Sequence, residues 1–309
     1  MKLNAQLKED TGYSWVMARM EPASPFGHAL VRAPRWYGPG EEAQLEEELS
    51  RVEALRTLLD SGEMALDSIT HILSEFHDIR NSLKRPTNAP MDEVELFEVK
   101  HFLIHLERLA QAYAAIPALE GLEIRPMTES LDLLDPSGRR LPAFSVENAF
   151  EPALERVREE KALVEGLLRQ TEKKGREDLM ARRSELVRKE DRLELEARKR
   201  LTMAILRERD TFLASMEAIG RLDLLLAKAR LARRFYCCRP EIADKPRVAA
   251  VDMVHPEVAD HLRERGGTFT SVSITLERGA TVITGANMGG KSVSMKSLTL
   301  NLLLTQTGF

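Results

Sequence analysis

Apolar residues along most of the chain recur at spacings of three and four, the period of a helix with one buried face. Between Glu41 and Leu59 the stripe is Leu45, Leu49, Val52, Leu55 and Leu59. Met64–Leu83 reads as a further helix, closed by Pro86 and Pro90. Asp92 and Glu95 form a capping box that opens a helix running to about Tyr113. Its Leu96, Val99, Leu103, Leu106, Ala110 and Tyr113 make a heptad seam. Pro117, Gly121, Pro126, Pro136, Gly138 and Pro142 then mark an irregular connector, and Leu133–Arg139 carries hairpin chemistry. From Asn148 to Tyr236 proline disappears after Pro152, and Glu, Arg, Lys and Leu dominate. Leu154, Val157, Val164 and Leu168 form one stripe. Leu179, Leu186 and Leu193 repeat every seven residues, and Leu201, Ile205, Phe212, Met216 and Ile219 continue the seam. This pattern predicts two long antiparallel helices joined between Thr171 and Asp178.

The period changes at both ends. Residues 1–40 are mixed, with Tyr13–Met17 as a short strand and seven prolines and glycines from Pro22 to Gly40 as turns. After Pro240 the alternation is that of strands: Val248–Met253, Phe269–Leu276, and the β-branched run Thr281–Thr284. A helix from Lys291 to about Leu304 follows. The expected fold is mainly α with a C-terminal α/β piece, in four segments: mixed residues 1–40, a helical core 41–145, long paired helices 146–236, and α/β residues 237–309.

Between that last strand and helix lies the chain's clearest chemistry. Gly285, Gly290, Lys291 and Ser292 fit the phosphate-binding pattern G-x-x-x-x-G-K-[ST]. Glycines let consecutive backbone N–H groups turn toward one phosphate, and the helix N-terminus adds its dipole. Lys291 reaches the β- and γ-phosphates and Ser292 holds Mg²⁺. The nucleotide-binding positions are therefore Gly285, Ala286, Asn287, Met288, Gly289, Gly290, Lys291, Ser292 and Val293, with ATP and Mg²⁺ as ligands.

The loop Thr-Gly-Ala-Asn-Met-Gly-Gly-Lys-Ser at 284–292 resembles the P-loop of the MutS family of DNA mismatch-repair and recombination ATPases. That family usually has proline where this chain has Ala286. Val293-Ser294-Met295-Lys296 resembles the subfamily without a mismatch-reading domain. Ser24-Pro25-Phe26-Gly27 is similar to the start of the family's core, and Asp78–Lys84 to an Asp-Ile-Arg stretch within it. Ile219–Ala232 resembles the segment where the second lever helix re-enters the core. His255-Pro256 resembles the opening of the ATPase domain. The resemblance implies a helical core, long antiparallel lever helices and an incomplete P-loop NTPase domain. It also implies a residue stacking on adenine, for which Phe269 is the candidate. A P-loop ATPase needs a second, acidic strand after the loop. Nothing after Phe309 supplies it, so hydrolysis is expected to need further sequence or a complementary ATPase subunit. The family pattern further implies a homodimer and binding to branched or duplex DNA.

Composition limits these readings. The chain has 309 residues and a net charge of −4, with 30% charged and 5% aromatic residues. A global basic signature for nucleic acid is therefore missing, and DNA contact needs a local patch. Lys173, Lys174, Arg176, Arg182, Arg183, Arg188, Lys189 and Arg192 crowd the tip of the long pair, diluted by acidic neighbours; a solvated coiled-coil face is the plainer reading. Trp36 and Tyr37 suit base stacking or, more simply, anchoring of a turn. His101 and His105 have the i,i+4 spacing of a zinc pair but lack the Glu of a zincin, so packing is the plainer reading. The adjacent Cys237 and Cys238 fit a reducing cytoplasm, and no apolar run is long enough to span a membrane. Two other functions fit. One is an ATP-dependent reactivating factor for a cobalamin-dependent aminomutase client, a role some MutS-like proteins are thought to have. The other is a coiled-coil scaffold with a vestigial nucleotide site.

Overall fold

In the computed structural model, residues 4–62, 64–86, 89–170, 172, 176–285 and 290–309 are described. The chain is mainly helical, with 62% helix and 4% strand. It divides into two compact units. The first comprises residues 1–74, 116–123 and 218–309, the second residues 75–115 and 124–217.

The first unit opens with α1 (Ala5–Asp10), α2 (Tyr13–Met17) and α3 (Pro25–Arg32). The expected strand at Tyr13–Met17 is a helical turn instead. Gly12, at φ 74°, redirects the chain into it, and Tyr13 and Val16, three apart, are buried together. Helices α4 (Glu42–Asp60) and α5 (Met64–Ser74) follow. Tyr37 packs on Leu45 and Leu49, while Trp36 lies 5.5 Å from Tyr13 between ring centroids. Both aromatic residues therefore anchor the turn.

The second unit begins where the expected Met64–Leu83 helix breaks. Residues 75–79 are non-helical, and α6 (Arg80–Leu83) restarts the helix. Asp78 causes the restart, its Oδ1 accepting from the Arg80 amide at 3.1 Å. Helix α7 (Glu93–Tyr113) opens on the predicted Asp92–Glu95 capping box. The expected hairpin at Leu133–Arg139 is absent. Instead α8 (Thr128–Leu134) ends there, and buried Asp135 gathers the Lys100 ammonium at 3.1 Å and the Arg140 amide at 2.7 Å.

Helices α9 (Ala153–Gln170) and α10 (Arg176–Arg207) form the predicted long pair. Arg158 meets Glu190 and Glu194, and Arg183 meets Glu165, so rising numbers on one helix face falling numbers on the other. The pair is antiparallel. Its seam holds Val157, Val164 and Leu186, flanked by Leu168, Leu179 and Leu193. The second long helix is interrupted at Glu208, and α11 (Arg209–Arg234) continues with Ile219, Leu222, Leu225 and Leu226 buried.

The first unit, which includes α11 from Ala218 onward, continues with β1 (Val248–Met253), α12 (Pro256–Glu264), β2 (Val272–Leu276) and α13 (Lys291–Gln306). β1 and β2 pair antiparallel, with Val248 opposite Leu276 and an irregularity between Ala250 and Met253. The second strand starts at Val272 rather than Phe269. Residues 281–285 are irregular and exposed and join no ladder among the described residues, so the strand expected before the glycine-rich turn is not formed. Backbone groups there remain open to water, which is tolerable only because the segment is not buried.

Candidate nucleotide site

Helix α13 begins at Gly290, whose φ of 79° is the left-handed conformation that glycine adopts at little cost. Its first turn is open: Ser292 is exposed, and Lys291 and Val293 are half-buried. Lys291 Nζ donates to the Gly285 carbonyl at 2.5 Å, so the two ends of the motif lie side by side. Thr281, Ile283, Lys291, Ser292 and Met295 line an open pocket of 470 Å³ next to that turn. Of the expected site, Gly285, Gly290, Lys291 and Ser292 therefore converge. Ala286, Asn287, Met288 and Gly289 lie outside the described residues. Phe269 is half-buried in the extended lead into β2.

These residues fit a nucleotide. A 16-residue helix whose N-cap makes no side-chain hydrogen bond carries a partial positive charge at its N-terminus. An ammonium and a hydroxyl sit in the same first turn. A phosphate oxygen is a stronger acceptor than the peptide carbonyl that Lys291 now holds. Mg²⁺ would find the Ser292 hydroxyl at the exposed edge.

The other end of α13 is embedded. Leu300, Leu303 and Leu304 pack with Tyr13, Val16, Met20, Ala227 and Leu231. Lys228, 5% exposed, donates to Glu48 Oε1 at 2.6 Å and to the Thr307 carbonyl at 2.9 Å. A cation thus faces the carbonyl end of α13. Tyr37 adds a backbone bond to the Gln306 carbonyl at 2.8 Å. Burial pushes the Lys228 ammonium below its usual range, and the Glu48 carboxylate opposes that push. Lys228 falls within the Ile219–Ala232 segment singled out in the sequence. Glu48 is 180 positions away and Thr307 is 79, so no local pattern could have joined them.

The same segment meets Ser24–Gly27. Asp223 accepts from the Ala23 amide at 2.9 Å and from the Ser24 amide and hydroxyl at 2.6 Å each. Ser24 in turn caps α3 through the Gly27 amide at 3.0 Å. A Cβ on Gly27 would stand 2.3 Å from the Asp223 carboxylate, so only glycine fits. Burial pushes the Asp223 carboxyl above its usual range, against the pull of these three donors. His255 caps α12, and burial holds its imidazole below the usual histidine range.

The expected basic tip is largely internally matched. Arg182 pairs with Glu160 and Glu185, Arg183 with Glu165, and Arg176 donates to the Leu168 carbonyl. Lys173 and Lys174 lie outside the described residues. Arg188, Lys189 and Arg192 are exposed, three and four apart on one face of α10. Burial pushes the Cys237 thiol up to about 11, which removes the thiolate that nucleophilic or metal chemistry requires. Among the described residues no helix is long and apolar enough to cross a membrane.

No family model matches the chain. It is similar to the "Endonuclease MutS2" of Latilactobacillus sakei, 33% identical over 108 residues, covering 35% of this chain and 13% of that protein. The "Endonuclease MutS2" of Thermomicrobium roseum is 38% identical over 116 residues, covering 35% of this chain and 14% of that protein. Similarity to the "DNA mismatch repair protein MutS" of Thermodesulfovibrio yellowstonii is lower, 25%, but extends over 297 residues, 87% of this chain and 33% of that protein. The chain thus spans a third or less of the length of these relatives. The similarities support kinship with MutS and MutS2 proteins.

Proposed function

We propose that this chain is a MutS-related, ATP-binding component of DNA repair or recombination, in which nucleotide at one end of α13 is felt in α11 at the other. The open first turn and pocket at Lys291–Ser292, on a helix whose far end is fastened by Lys228, carry this reading. Phosphates bind the amides of the first turn, the Lys291 ammonium and the loop Gly285–Gly290, and Ser292 orients Mg²⁺. Phe269 supplies an apolar wall for the base.

A 16-residue helix is about 24 Å long and moves as a rod. Pulling its N-terminus toward a phosphate displaces the Thr307 carbonyl and so the Lys228–Glu48 pair. Lys228 belongs to α11, the helix proposed to act with α9 and α10 as the lever. Nucleotide shifts the lever only by as much as it prefers one arrangement of α13 over another. Arg188, Lys189 and Arg192 are the proposed DNA-contacting cations, and a second copy or a complementary ATPase subunit is the proposed partner at the nucleotide.

Titration with a fluorescent ATP analogue and Mg²⁺ tests the site. Saturable binding, competed by ATP and lost in Lys291→Ala, is expected. Equal binding by the variant removes the reading. A parallel titration on branched and duplex DNA should show affinity that falls as salt rises.

A further inference from the structure

Away from the nucleotide site, the second unit holds a cluster that the proposed function leaves unused. His101 and His105 lie one turn apart on α7, and their Nε2 atoms approach to 3.1 Å. Glu75, at the start of the non-helical link before α6, has a carboxylate oxygen near the pair, the three donor atoms lying within 4.8 Å of one another. We infer that Glu75, His101 and His105 form a binding site for a divalent transition cation of the zinc class, joining α7 to the link at residues 75–79.

The spacing suits that cation. Two imidazole nitrogens at ~2.0–2.1 Å from a tetrahedral zinc stand about 3.3 Å apart, close to the separation observed. Two imidazoles with one carboxylate is a borderline-soft donor set that prefers zinc, cobalt or nickel to magnesium or calcium. Three protein ligands leave a fourth position for water. The surroundings hold the ligands ready. Phe76 sets its edge against His105 at 6.1 Å, Phe97 lies 5.7 Å from His101, and His77 stacks on His101 at 5.1 Å while its Nδ1 meets Glu98. His105 is buried and His101 half-buried.

A hydrogen bond between two neutral rings also accounts for a 3.1 Å contact, with one proton between the Nε2 atoms. Neither Nδ1 has a hydrogen-bond partner, and coordination through both Nε2 atoms leaves an Nδ1–H on each ring, at a cost of about 1–3 kcal/mol apiece. Two metal–nitrogen bonds and one to the Glu75 carboxylate offset that cost. The missing partners at Nδ1 also limit the site, because outer-shell support is worth about 10–100-fold in metal affinity. The site is therefore one of moderate affinity, filled and emptied by available metal.

The test uses the full chain carrying Cys237→Ser and Cys238→Ser, stripped with chelator and titrated with Co²⁺ and then Zn²⁺. One Co²⁺ per chain with the intense visible absorption of tetrahedral coordination is expected, displaced by Zn²⁺, with a higher Tm in the loaded form. Glu75→Gln keeps side-chain volume and His101→Asn keeps a polar side chain, and each should weaken binding more than ~100-fold, beyond what losing an outer-shell partner costs. His71→Ala, an exposed histidine outside the trio, should leave it unchanged. No stoichiometric Co²⁺ binding, an octahedral spectrum, or binding indifferent to Glu75→Gln and His101→Asn in folded variants overturns the assignment.

Discussion

The two ends of α13 obey opposite rules. Its C-terminal half is apolar and enclosed, with Leu300, Leu303 and Leu304 in the core and a buried ammonium on its last carbonyls. Its N-terminal turn is polar and open, beside an irregular segment that no strand covers among the described residues. Burial at one end supplies stability, while the other end turns Lys291 and Ser292 toward an open pocket. Anchoring and binding are thus separated along one rod, and substitutions at the two ends should give different kinds of damage.

The largest expected loss is at the anchor. Lys228→Met leaves buried Glu48 with only the Arg51 guanidinium, at 3.7 Å, as counter-charge and should cost about 3 kcal/mol in urea unfolding. Adding Glu48→Gln should restore part of that, because the poorly compensated charge goes too. Asp223→Ala comes next. It strips the Ser24 hydroxyl and two amides of their acceptor and should cost about 2–3 kcal/mol, whereas Asp223→Asn keeps one acceptor and should cost less.

The pH response is smaller and has a definite sign. The folded state holds His255 below the ~6.5 of an unfolded histidine. Below that value the unfolded chain takes up the proton first, so stability is fully present above it and falls as the solution is acidified. Urea midpoints measured between pH 8 and pH 5 should decline, and less steeply in His255→Asn, which keeps an N-cap acceptor. Smallest of all is Lys291→Ala, whose stability should lie within about ±0.5 kcal/mol of the parent while nucleotide binding is lost.

The sequence made the helices legible where burial has a period. The Asp92–Glu95 cap, the α9–α10 seam and the start of α13 all follow from spacing. It misled where short segments answer to tertiary partners. Tyr13–Met17 is rich in aromatic and β-branched residues like a strand but buries Tyr13 and Val16 as a helical turn. Thr281–Thr284 has strand propensity without a ladder, because β-propensity reflects a pleated, half-buried setting that this exposed segment lacks. The glycine-rich motif located the candidate site, and its chemistry depends on neighbours. What fastens that site to the rest was invisible: Glu48, Lys228 and Thr307 meet only after folding. So do Ser24 and Asp223, 199 positions apart. Glu75 was missed for the same reason, although the His101–His105 spacing was the cue.

Amide hydrogen exchange with and without ATP and Mg²⁺, on the parent chain and on Lys291→Ala, tests the link between the two ends most directly. Nucleotide should slow exchange both in the first turn of α13 and in residues 222–232 of α11, and Lys291→Ala should abolish both changes together. Slowing confined to residues 281–294, with α11 unchanged at saturating nucleotide, would contradict the account.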